Sequence, residues 1–142
     1  MICILESLTR SARRLLSDRP DARKAAARDL CRAGLRLRAV GLETEALDAF
    51  ALLLKIEPGN GLARYAWLNS LEQRQPTEAT LSLLQRLVAE APKDPELNYR
   101  LGEHLDAFGD VDSAAAAWVR VIDVDGGGWG VRASERLSEM RR

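Results

Sequence analysis

Apolar residues recur along this chain at helical spacing. Leu30, Ala33, Leu37 and Val40 form one stripe, and Ala46, Leu47, Phe50, Leu53 and Leu54 form another. Steps of three and four residues put each set on one side of a helix. Stop and start signals divide the pattern. Gly41 and Gly109 suit left-handed caps that end a helix. Pro58 and Pro92 cannot continue one. Asp94-Pro95 reads as an N-cap followed by proline at the first helical position. Asn60 can cap a further helix, and Pro76-Thr77 opens another. Together these signals predict helix pairs near 22–39/43–56, 61–73/77–90 and 95–107/111–124. Two segments flank the pairs. Leu5, Leu8, Ala12, Leu15 and Leu16 line one side of a helix over 2–17, broken by Asp18-Arg19-Pro20-Asp21. A short polar helix over 130–141 would turn Val131, Ala133 or Ser134, Leu137 and Met140 inward.

The pairs repeat. Pro58 and Pro92 each close a segment of similar character, and the interval between them sets a period. At twice that interval Gly34 maps onto Gly102, Gly41 onto Gly109, Ala46 onto Ala114 and Phe50 onto Trp118. A fixed period of this length marks a helical repeat whose members bury their faces only by stacking. Small residues at 34, 46, 102 and 114 allow close helix approach, and Phe50 and Trp118 are expected to fill the gaps between adjacent repeats.

On these residues the chain resembles the tetratricopeptide-repeat (TPR) family over roughly residues 27–128. The first repeat reads Leu30, Ala33-Gly34, Leu37, Gly41, Ala46, Phe50, Pro58. The third reads Asn98, Leu101-Gly102, Leu105, Gly109, Ala114, Trp118, with Gly126 where the family has proline. The middle one departs from the pattern, with Trp67-Leu68 in place of Leu-Gly, then Leu71, Thr80, Leu84, Leu87 and Pro92. The resemblance implies an all-α, TPR-type helix-turn-helix solenoid forming a single domain. It would consist of an N-terminal capping helix (1–20), three helix-pair repeats (22–58, 61–92, 95–126) and a C-terminal capping helix (129–142) with Trp129 over the last pair.

The resemblance also implies a concave groove lined by the first helix of each pair. The positions carried over are Arg28, Cys31, Leu35 and Arg38, then Leu62, Tyr65, Asn69 and Glu72, then Glu96, Tyr99, Glu103 and Asp106. From these, Arg28, Arg38, Tyr65, Asn69, Glu72, Tyr99, Glu103 and Asp106 are the expected partner-binding residues. Tyr65 and Tyr99 share one register and would offer a ring and a hydroxyl to the same channel, a chemistry favoured at interfaces. Arginines at one end and carboxylates at the other would complement a partner of opposite gradient. Certain family members clamp a terminal carboxylate with Lys, Asn and Arg; only Asn69 matches that pattern, so no such clamp is expected here.

Composition narrows the function classes. The chain has 142 residues, with 46% hydrophobic and 30% charged. It is long enough for a core and reads as globular. Net charge is zero but uneven. Residues 1–40 hold ten Lys/Arg against four Asp/Glu, and the remainder holds eleven against seventeen, so the two parts carry six charges of opposite sign. Such a dipole steers partners or favours head-to-tail association. Two cysteines, Cys3 and Cys31, make no disulfide framework, which points to reduced thiols and a cytoplasmic setting. The first ten residues lack a basic n-region, so no signal peptide is read, and no apolar run reaches membrane-spanning length.

Catalytic and metal motifs are absent from this reading. His104 is the sole histidine, expected solvated or half-buried on a helix surface, without partners for acid–base or metal chemistry. The glycine-rich 125–130 segment lacks the preceding strand and the Lys-Ser/Thr of a phosphate loop, and reads as a flexible joint. Arginine-rich 10–38 has no aromatic residue to stack on bases, which argues against nucleic acid, and no membrane role is expected. No cofactor is called for. The expected partner is another protein or a peptide. An assembly or secretion chaperone and a self-associating homo-oligomeric subunit stand as alternatives, and an enzyme does not.

Overall fold

In a computed structural model the structure describes residues 19–140; the expected N-terminal capping helix and Cys3 lie outside them, as do the last two residues of the C-terminal one. The described residues form seven α-helices and no strand: α1 (Pro20–Ala39), α2 (Glu43–Ile56), α3 (Gly61–Ser70), α4 (Glu78–Glu90), α5 (Pro95–Ala107), α6 (Val111–Val124) and α7 (Gly128–Met140), with a 3-10 turn at Leu71–Gln73 after α3. None is long and apolar enough to cross a membrane. The chain divides into two compact units, residues 1–74 and 75–142.

The expected start and stop residues act as local chemistry dictates. The side chains of Asn60, Thr77, Asp94 and Asp110 each accept a hydrogen bond from the backbone N–H three residues on, opening α3 to α6. Each cap satisfies a donor that the first helical turn leaves without a partner. Gly41 and Gly109 have φ of 85° and 83°. Around them Leu42 N–H donates to Leu37 O at 2.8 Å and Gly41 N–H to Arg38 O at 3.1 Å. Asp110 N–H donates to Leu105 O at 2.9 Å and Gly109 N–H to Asp106 O at 3.0 Å. The same paired closure thus ends α1 and α5, and only glycine enters that backbone region without a Cβ penalty. Ser70 closes α3 differently. Its hydroxyl donates to Ala66 O at 2.8 Å, a bond back along the helix that competes with the backbone ladder.

In the first unit α2 folds back on α1, and α3 packs on α2. Phe50, 1% exposed, lies over Gly34. A Cβ at position 34 would sit 2.7 Å from Phe50 Cε1, so the absent side chain is what admits the ring. In the second unit α6 folds back on α5, α4 packs on α5, and α7 packs on both α6 and α5. Trp118 lies over Gly102 in the same manner, a Cβ there falling 2.7 Å from Trp118 Cδ1. Its indole N–H donates to Tyr99 O at 3.3 Å, so the buried polar edge of the ring is satisfied. The aromatic residues expected between adjacent repeats are the lids of the glycine notches within their own helix pairs. Leu68 occupies the position that the outer pairs give to glycine, and it is buried.

Two buried polar side chains of the second unit, Asn98 and His104, are tied down. Asn98 is fully buried. Its amide donates to Pro92 O at 3.0 Å and Asp94 O at 2.9 Å, and its carbonyl oxygen accepts from Arg120 Nε at 3.0 Å. His104, expected solvated or half-buried, is buried, with Nδ1 donating to Arg100 O at 2.9 Å. Burial holds its pKa below the ordinary histidine value.

Candidate partner-binding surface

The expected binding residues fall into two groups. In the first unit Arg28 and Arg38 are exposed on α1, Tyr65 and Asn69 on α3, and Glu72 on the 3-10 turn after it. Leu62, Tyr65 and Asn69 follow steps of three and four, so they share one face of α3. Leu62 is 51% and Tyr65 68% exposed. Beneath them Ala63, Ala66, Trp67 and Leu68 anchor the helix in the core. A tyrosine ring held out on an anchored helix beside an apolar residue and an amide offers apolar contact and hydrogen bonding together. On α1, Cys31 points inward instead, and burial pushes its thiol pKa up, which makes it inert rather than reactive.

In the second unit α7 lies across the expected positions. Tyr99 is 3% exposed. Its ring sits 5.4 Å from that of Trp129, tilted by 46°. The Arg132 guanidinium lies over both rings, 5.0 Å and 4.8 Å from their centroids, and that of Arg100 lies 5.5 Å from the Trp129 ring. Arg136 Nε donates to the Tyr99 hydroxyl at 3.3 Å. Glu103 is brought into the same cluster, accepting from Arg136 Nη2 at 2.7 Å and from Arg100 Nη1 at 3.2 Å. Asp106, one turn on, is exposed. The register that marks Tyr99 and Glu103 as groove residues thus also makes them the seat of α7. The arginines of α7 that meet them carry no distinguishing signal in the sequence.

The start of α7 explains the glycines before it. Asp125 accepts from Gly127 N–H at 2.8 Å and Trp129 N–H at 3.2 Å. A carboxylate of the chain itself therefore holds the positive end of this helix, where an anion would otherwise bind. Gly130 is buried against the Asp125 carbonyl, with no room for a Cβ. The segment expected to be a flexible joint is a tight turn over 125–127, and the helix already runs from Gly128. This seat fixes the phase of α7. Gly130 and Ala133 face inward, and Val131, expected inward, is exposed.

Among the described residues no three His, Cys, Asp or Glu side chains gather where they could hold a metal ion. Residues 70–125 match the family model described as tetratricopeptide repeat. No curated protein and no solved structure matches the chain.

Proposed function

We propose that the chain, whose residues 70–125 match the tetratricopeptide-repeat model, is a protein-interaction module that binds a peptide or helix of another protein, with Leu62, Tyr65 and Asn69 as the anchoring contacts. The observation that carries the reading is the exposure of Tyr65, 68%, on a helix whose opposite side is anchored in the core. An exposed aromatic flanked by Leu62 gives a partner apolar area to bury, and Asn69 and the Tyr65 hydroxyl fix its orientation. Arg28, Arg38 and Glu72 supply charge on the same unit. They set association rate and selectivity more than affinity. The reading is of binding without chemistry: buried His104 and buried Cys31 take no part in it.

The test is quantitative affinity capture from the native cell with the wild-type chain and with Tyr65→Ala, both checked for equal helicity. The proposal expects the proteins enriched by the wild type to be lost from the variant. Equal recovery by both would refute it.

A further inference from the structure

The internal register allows α2 and α6 to be compared position by position. Leu47, Ala51 and Leu54 of α2 map onto Ala115, Val119 and Ile122 of α6. In α2 this row is covered: α3 packs on the helix, and Leu47 and Leu54 are buried. In α6 the same row is open, although α7 packs on that helix. Val119 is 47% and Ile122 37% exposed. Helical periodicity places Val111, Ala115, Ile122 and Val119 in one narrow strip. It runs beside the buried sector of Ala114, Ala117, Trp118 and Val121. Asp112 and Asp123 run along its outer edge, where α2 has Thr44 and Lys55. The strip is the stacking face of a helical repeat with acidic substitutions on its border.

A complementary face exists on the same chain. Arg28, Arg32, Leu35 and Ala39 recur along α1 at steps of four, three and four, and all are exposed. They form one outer face that is basic toward its start and apolar toward its end. The charge imbalance has the matching sense, with six surplus positive charges in residues 1–40 and six surplus negative charges beyond.

We propose that the open strip on α6 receives the outer face of α1 from a second copy of this chain, the two helices running in the same direction, with Val119 and Ile122 against Leu35 and Ala39, and with Asp112 beside Arg28 and Arg32. Because the two patches differ, the contact is heterologous, and it builds a closed ring where its rotation closes and an open chain where it does not. The ion pairs lie at the rim of the contact, where salt weakens them.

Sedimentation velocity of the full chain across a wide concentration range, at low and at high salt, tests this. The expected result is mass rising above the monomer with concentration at low salt and falling back at high salt. Ile122→Glu and Arg32→Glu, both at exposed positions, each weaken association by roughly tenfold or more. Asp112→Arg combined with Arg32→Glu recovers part of that loss. Tyr65→Ala leaves association unchanged, which separates this contact from the one proposed for a foreign partner. A monomer at every concentration in low salt overturns the proposal, and so does association that Ile122→Glu and Arg32→Glu leave intact.

Discussion

Tyr65 and Tyr99 stand at one register of successive repeats, yet one is 68% exposed and the other 3%. Each lies on a helix that begins at a capped N-terminus and carries a buried apolar face. The difference comes from α7. Trp129, Arg132 and Arg136 close over Tyr99 and Glu103, whereas Tyr65 remains exposed. Equivalent position in a repeat fixes which way a side chain points. Whether it meets a partner or another part of its own chain depends on what the chain places above it.

The comparison can be broken most forcefully at Trp118. Its replacement by alanine removes a buried ring and leaves the Gly102 notch empty, and should cost about 3–5 kcal/mol in denaturant unfolding. The tyrosines come next. Tyr99→Ala should cost about 3 kcal/mol through lost packing, while Tyr65→Ala should stay within about 0.5 kcal/mol of wild type. Similar losses for both would mean that their surroundings do not differ as described. Gly102→Ala forces the new Cβ against the indole and should cost about 1–3 kcal/mol, with Gly34→Ala behaving alike against Phe50. If Gly102→Ala leaves the melting temperature unchanged, the helices do not meet at that glycine.

A pH titration sharpens the second unit further. The folded-state pKa of His104 lies below the usual 6.5, chiefly because of burial. Well above 6.5 neither the folded nor the unfolded chain protonates it. As pH falls below that value the unfolded chain takes up a proton that the folded chain refuses. Stability therefore drops, by at most about 1.4 kcal/mol per pH unit, until the folded pKa is reached. Melting temperatures followed from neutral to mildly acidic pH should show this slope in the wild type and lack it in His104→Gln. Among the changes within the second unit, the smallest effect is expected at Glu103. Glu103→Gln weakens its pairs with Arg136 and Arg100. Because Arg136 is partly exposed, the loss should be under about 1 kcal/mol in thermal unfolding.

Much of the helical skeleton is legible in the sequence because its signals are local. The caps at Asn60, Thr77 and Asp94 and the glycine closures at 41 and 109 depend on residues within a turn or two. The notches at Gly34 and Gly102 are legible through the coincidence of glycine and aromatic across two periods, although their lids lie within each pair. The burial of Tyr99 and His104 is not legible. Both depend on side chains packing between elements. The apolar pattern also sets the stripe on α7 one phase away, because Val131 looks more apolar than Gly130. Steric exclusion of a Cβ by the Asp125 carbonyl decides that phase, and a hydrophobicity pattern carries no trace of it.

We propose that the recognition surface for another protein lies on α3, whereas its counterpart on α5 is closed by α7. A photo-crosslinking phenylalanine analogue placed at position 65 or at position 99 reads this directly in the native cell. Adducts with another protein are expected from position 65 and, from position 99, crosslinks confined to the chain's own α7. Adducts to a foreign protein from position 99 with none from position 65 would contradict it.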